Sequence, residues 1–163
     1  MLYNRQDKSI SELTNGFDQW IEEFVWSPDS KKIYATATDS GVVSLFEFDI
    51  QAKSNKRIAR GNWDYGQGLA VTPDGKFLVV GKMNFNNPLD FYRLDLSTKE
   101  ELKLTNFNDE RLKYINPVKF EERWFTALDG KKIHAWIIYP PDFDSTKKYP
   151  VITYCQGGPQ SMI

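Results

Sequence analysis

One cysteine and one histidine stand among the 163 residues, Cys155 and His134. A lone cysteine excludes an intrachain disulfide and leaves the redox compartment unread. One residue of each kind cannot supply a zinc-type ligand set, and no Gly-rich phosphate loop is present. No cofactor is therefore expected. A charge excess is missing as well: 21 basic against 22 acidic residues leave a net −1, with the signs interspersed. That gives no electrostatic case for nucleic acid or an anionic membrane surface. No apolar run approaches the roughly 20 residues of a membrane span; the longest are short stretches such as residues 136–139. Residues 1–8 hold no apolar signal-peptide core, which is silent about export if sequence is missing upstream.

Aromatic residues are plentiful, at 15% of the chain. An ordered protein is expected, because rings supply burial that offsets chain entropy. The first two thirds repeat. Phe24-Val25-Trp26-Ser27-Pro28-Asp29-Ser30-Lys31-Lys32-Ile33 aligns with Leu69-Ala70-Val71-Thr72-Pro73-Asp74-Gly75-Lys76-Phe77-Leu78, and Pro28 to Pro73 is 45 positions. Leu13-Thr14-Asn15, Ile58-Ala59-Arg60 and Leu104-Thr105-Asn106 recur at intervals of 45 and 46. Phe48-Asp49-Ile50 and Leu94-Asp95-Leu96 form a third register at the same spacing.

Each unit predicts four short strands. In the first they lie at residues 23–26, 33–38, 42–50 and 56–59. In the second they lie at 69–71, 77–82, 89–94 and 101–105. The Ser-Pro-Asp and Thr-Pro-Asp corners are turns in which proline presets φ and aspartate bonds its own backbone. Asp39-Ser40-Gly41 makes another turn, and 83–88 reads as a longer loop that could face a central cavity. Four strands at a period of 40–50 residues is the arithmetic of a β-propeller blade. Tyr3-Asn4-Arg5 through Glu12-Leu13-Thr14 matches the end of an earlier blade. A closed propeller takes at least about four blades, so the chain is expected to begin mid-propeller.

After Thr105 the repeat decays into a polar connector. Residues 120–128 and 133–139 predict a hairpin around Asp129-Gly130, ended by Pro140-Pro141, which cannot donate to a ladder. Tyr149-Pro150-Val151-Ile152-Thr153-Tyr154 predicts a buried central strand running into Gly157-Gly158-Pro159. Four blocks in this order resemble the entry to the peptidase domain of the prolyl oligopeptidase family. They are Phe125-Thr126-Ala127-Leu128-Asp129-Gly130-Lys131-Lys132-Ile133-His134-Ala135-Trp136, then Tyr139-Pro140-Pro141-Asp142-Phe143, Lys148-Tyr149-Pro150-Val151 and Gln156-Gly157-Gly158-Pro159. The run Tyr154-Cys155-Gln156-Gly157-Gly158-Pro159-Gln160-Ser161 looks closest to bacterial dipeptidyl-peptidases of the type-V and acylaminoacyl-peptidase branches, although many relatives carry His where Gln156 stands.

The resemblance implies a mostly-β fold: a partial β-propeller of about two four-stranded blades plus a remnant, followed by the first strands of an α/β-hydrolase domain. The divisions expected are 1–105 for the blades, 106–116 for a linker and 117–163 for the opening of the peptidase domain. It implies a piece of a serine exopeptidase acting on short peptides, with Ser, Asp and His beyond Ile163, so that this chain alone is inactive. The backbone N–H groups of Gly157 and Gly158 would help hold the oxyanion. A periplasmic or secreted setting is favoured by the resemblance, with a cytoplasmic one and a homo-oligomer left open. The rival is a non-catalytic module in which propeller-like repeats bind a peptide or sugar.

Several residues read as structural. Ser161 lacks the Gly-x-Ser-x-Gly elbow of a nucleophile, and His134 comes too early in the chain for a triad histidine. Glu22-Glu23 could bind a substrate amino terminus but simply enters a strand, and Asp29, Asp74 and Asp129 belong to turns. Cys155 is expected to be a buried small hydrophobe. Trp20, Trp26, Trp63, Tyr65, Phe85 and Tyr92 could line a cleft, with blade packing the expectation for most of them.

Overall fold

The computed structural model describes residues 1–155. A two-residue pair, β1 (Leu2–Tyr3) with β2 (Ile10–Ser11), precedes the first blade. That blade is an antiparallel meander of β3 (Ile21–Trp26), β4 (Lys32–Asp39), β5 (Val42–Asp49) and β6 (Ser54–Ala59), paired in chain order. The second sheet holds β7 (Asp64–Tyr65), β8 (Ala70–Val71), β9 (Phe77–Asn84), β10 (Asn87–Asp95) and β11 (Glu101–Lys103). Here β11, β10 and β9 follow one another, and both β7 and β8 pair with the remaining edge of β9. A single helical turn, α1 (Asp109–Leu112), leads to the hairpin of β12 (Phe120–Thr126) and β13 (Lys132–Ile138).

The 45-residue repeat is reproduced bond for bond at the corners. Ser27 Oγ donates to Asp29 Oδ1 at 2.7 Å and accepts the Lys32 N–H at 2.9 Å. Thr72 Oγ1 does the same with Asp74 at 2.5 Å and Phe77 at 3.1 Å. Asp29 and Asp74 each accept a further backbone N–H, from Lys31 and Lys76, both at 3.1 Å. These bonds favour the ionised carboxyl and hold both aspartates below the usual range, the hydroxyl contact first. The Asp129 turn keeps the backbone version, with Gly130 N–H to Ala127 O at 2.9 Å, but Ala127 has no hydroxyl to add.

The blades stack through one core. Tyr34, Leu45 and Ile58 of the first meet Tyr65, Leu78, Val80 and Leu94 of the second, and Leu45, Leu78 and Val80 are fully buried. Full burial of each such side chain stabilises by about 1.5–3 kcal/mol, more than ladders as short as β7 or β8 offer. A second core forms on the other face of the first blade. There Phe17 packs edge-on to both Phe46 and Phe48, with centroids 5.0 Å apart, and Leu13 is buried beside Ala35 and Ala37.

Two sequence expectations differ from the structure. The loop at 83–88 is a tight turn between strand ends, because Asn84 Oδ1 accepts the backbone N–H groups of Asn86 and Asn87 at 3.0 and 2.9 Å. Pro88 sits where the β9–β10 register shifts, between Asn87 and Asp90, a place that needs no ladder donor. The strand expected at 149–154 is not formed, and Val151, Ile152 and Tyr154 are 86%, 96% and 74% exposed. A central parallel strand takes hydrogen bonds from both neighbours and burial on both faces. No described strand pairs with residues 151–155, and apolar sequence without a partner stays coil.

Candidate functional site

Gly157 and Gly158, the expected oxyanion donors, lie outside the described residues, as do Gln156 and Ser161. Cys155, expected buried, is exposed, as are the unpaired residues 151–154 before it. His134 is structural. Its ring lies between Trp124 and Trp136, with centroids 4.8 and 5.6 Å away, and against Gly41. His134 Nε2 is buried 3.1 Å from Glu122 Oε1 without the alignment of a hydrogen bond.

Of the acidic pair, Glu23 ties the two blades together. Its carboxylate accepts the N–H of Leu69 at 3.0 Å and of Gly68 at 3.4 Å, entering the first strand of the next repeat. Trp20 and Trp26 are 54% and 43% exposed on the first blade. Trp63, Tyr65 and Tyr92 instead surround Lys82 Nζ, at 4.4, 5.4 and 5.0 Å from the ring centroids. Lys82 is 7% exposed and its ammonium is paired with the Glu101 carboxylate, which also accepts the Tyr65 hydroxyl at 2.6 Å. Burial, then that bond and the Glu101 charge, push the Tyr65 phenol above its ordinary range. The parity of Leu78, Val80 and Lys82 along β9 was the readable signal: a lysine on the buried side of a strand needs a partner.

The hairpin docks across the ends of both blades. Asn86 in the β9–β10 turn exchanges two 2.8 Å bonds with the backbone of Val118, just before β12. Trp136 on β13 donates its indole N–H to Gly41 O at 3.0 Å. Phe85, Phe120 and Trp136 form a mutually tilted three-ring cluster, with centroids 5.2 to 5.8 Å apart. Between these rings, Val42 and Trp63 lies a cavity of about 180 Å³, with Asp64 contributing its one carboxylate. Asp64 Oδ1 accepts the Val43 N–H at 2.7 Å. Burial raises the Asp64 carboxyl above its usual range, the Val43 bond opposes this, and the charge of Glu22 adds to the rise. This half-open cavity combines concavity, aromatic walls and a perturbed acid, the combination that marks a binding-site candidate. Among the described residues no helix is long and apolar enough to cross a membrane.

No protein-family model matches the chain. Dipeptidyl-peptidase 5 of Porphyromonas gingivalis is 34% identical over 147 residues, covering 90% of this chain and 21% of that protein. The chain thus spans about a fifth of the length of the curated relatives it matches. An acylaminoacyl peptidase solved in complex with Z-Gly-Gly-Phe-chloromethyl ketone superposes with a TM-score of 0.76 at 24% identity, over 96% of this chain and 23% of its own. The β-propeller domain of the trilobed protease from Pyrococcus furiosus gives a TM-score of 0.50 at 22% identity, over 63% of this chain and 30% of its own. At these identities the superpositions speak for the fold, a partial β-propeller. Over nearly its whole length the chain is similar to one stretch of a dipeptidyl-peptidase 5, and its fold is that of the matching part of an acylaminoacyl peptidase.

Proposed function

We propose that the chain is part of a serine exopeptidase that removes dipeptides or acylated residues from the amino termini of short peptides. The observation that carries this is the 34% identity over 147 residues to a dipeptidyl-peptidase 5, spanning the blades and the hairpin alike. In this reading residues 1–105 contribute propeller blades, 106–116 link, and 117–163 open the hydrolase domain. The mechanism is acyl transfer. A serine hydroxyl attacks the scissile carbonyl, a histidine takes its proton and returns it to the leaving amine, and an aspartate orients that histidine. His134 does not serve in that triad, because its ring is packed against Gly41, Trp124 and Trp136.

Gly157 and Gly158 act through their backbone. An N–H aimed at the developing oxyanion contributes about 3–4 kcal/mol in acyl-transfer enzymes. Glycine there lets the backbone approach the substrate with no Cβ in the way. The test uses the product of the whole reading frame with dipeptidyl and N-acylaminoacyl coumarin amides and a fluorophosphonate probe. Hydrolysis and serine labelling are expected from it, and neither from the 163-residue polypeptide. In the whole protein, Gly157→Pro or Gly158→Pro removes one N–H, and whichever residue is the donor should lower kcat about 10²-fold or more. A whole protein that neither labels nor hydrolyses either substrate class refutes the peptidase reading.

A further inference from the structure

We propose that the cavity between the two blades and the hairpin is a binding site for a small methylated ammonium ion, of the size of choline. This does not depend on the peptidase reading. The walls are the side chains of Trp63, Phe85, Phe120 and Trp136, and neither lysine nor arginine lines the space. Ring faces attract a cation through their quadrupole, and desolvated sites do so most strongly. Asp64 supplies the compensating charge. One of its oxygens is taken by the Val43 N–H, and among the described residues the other makes no hydrogen bond or ion pair. Glu22 lies close enough to add negative potential. The nearby ammonium of Lys82 is neutralised by Glu101, so it does not oppose a guest. That lysine also shows the chemistry at work in this sheet, since it rests 4.4 Å from the centroid of the same Trp63 ring.

The choice of a methylated ammonium follows from the acceptors. A primary ammonium carries three N–H donors that each want a partner. Two of the acceptors around this cavity are committed, which leaves the Asn62 amide and the second Asp64 oxygen for a guest. Asn84 Oδ1 receives three bonds from Asn86 and Asn87, and Gly41 O receives the Trp136 indole. A quaternary ammonium has no N–H to satisfy and presents methyl groups to the rings. The volume, about 180 Å³, is below the roughly 300 Å³ at which drug-sized pockets begin. It suits a head group rather than a peptide.

The test is a choline titration of the 163-residue chain, read by the indole N–H signals of Trp63 and Trp136 in proton–nitrogen NMR spectra. Saturable shifts confined to those signals and to neighbours of the cavity are expected. The neutral isostere 3,3-dimethylbutan-1-ol should bind at least about ten-fold more weakly, as should choline to Asp64→Asn. Asparagine keeps an acceptor for the Val43 N–H, and a dispersed spectrum reports that the variant is folded. If Asp64→Asn does not fold, Phe85→Leu keeps an apolar wall without a ring face and should weaken choline several-fold. Equal binding of the neutral alcohol overturns the proposal. So does the absence of a saturable response to choline, or a folded variant that binds it as tightly as the parent.

Discussion

Alanine at Gly41 should cost far more than alanine at the other hairpin glycine, and the excess measures how firmly β13 is seated. Gly41 has φ +82° and Gly130 φ +83°, so both substitutions force an L-residue into the left-handed region. That strain is about 1–2 kcal/mol in either place. The surroundings differ. A Cβ on Gly130 meets nothing within 4 Å, whereas one on Gly41 overlaps the His134 imidazole. Overpacking of this kind adds about 1–3 kcal/mol, giving roughly 2–5 kcal/mol in total for Gly41→Ala. The chain can escape the overlap by lifting β13 away. That breaks the Trp136 bond to Gly41, worth about 1 kcal/mol, and parts the rings of Phe85 and Trp136 at about 0.5–1.5 kcal/mol. Urea unfolding of the two variants, followed by tryptophan fluorescence, gives the difference directly. His134→Ala completes a double-mutant cycle: with the ring removed, Gly41→Ala should fall back to the strain alone, a coupling of about 1–3 kcal/mol. Equal costs for Gly41→Ala and Gly130→Ala, or no coupling to His134, would refute the seating of the hairpin on the β4–β5 turn.

Gly81→Ala places a Cβ against Leu89 Cδ1 at 2.6 Å and against backbone carbonyl oxygens of residues 66 and 67. Because backbone gives way less easily than a side-chain tip, the expected loss is about 3 kcal/mol, read as a shift in the denaturation midpoint. Lys82→Met leaves Glu101 without its cation and three rings without theirs. Breaking such a pair from one side costs about 3–5 kcal/mol when it is fully buried. Glu101 retains 22% side-chain exposure, so about 2–3 kcal/mol is expected here. Lys82→Met as stable as the parent would deny the pair that role. Glu47 is desolvated, which raises its carboxyl, but Lys32 and Lys56 at 3.0 and 3.1 Å outweigh that and leave it below the usual carboxylate range. A lowered folded pKa means stability fully present above the unfolded value and lost as pH falls through the folded one. Stability between about pH 6 and pH 3 should therefore drop less in Glu47→Gln than in the parent; identical profiles would contradict the assignment.

Blade architecture was legible because it repeats. Ser27 and Thr72, 45 residues apart, close the same turn with the same bonds, so one local pattern stated twice located the strands on both sides. β7 was missed. Two residues, Asp64 and Tyr65, carry no periodicity, and the strand exists only because β9 offers them an edge. Lys82 with Glu101, and Asp64 with the rings of the hairpin, were missed for a related reason. Their partners are distant in sequence, 19 residues for the first pair, and only packing brings them together. The strand expected at 149–154 shows the opposite error. Its composition satisfied a rule for central strands, but that rule presupposes neighbours on both edges, and the described strands provide neither. Gly157 and Gly158 were marked by the block of residues around them, which is information about chemistry rather than about conformation.

The two-way bond between Asn86 and Val118 has a bearing on how the chain withstands cutting. Together with the Trp136 indole on Gly41, it fixes the hairpin from contacts 32 and 95 residues apart in sequence. The covalent path between them passes through Tyr114 and Ile115, which are 89% and 62% exposed. A chymotryptic cut at that tyrosine would spend only the connection, leaving a nicked molecule whose two pieces migrate as one until denaturant parts them.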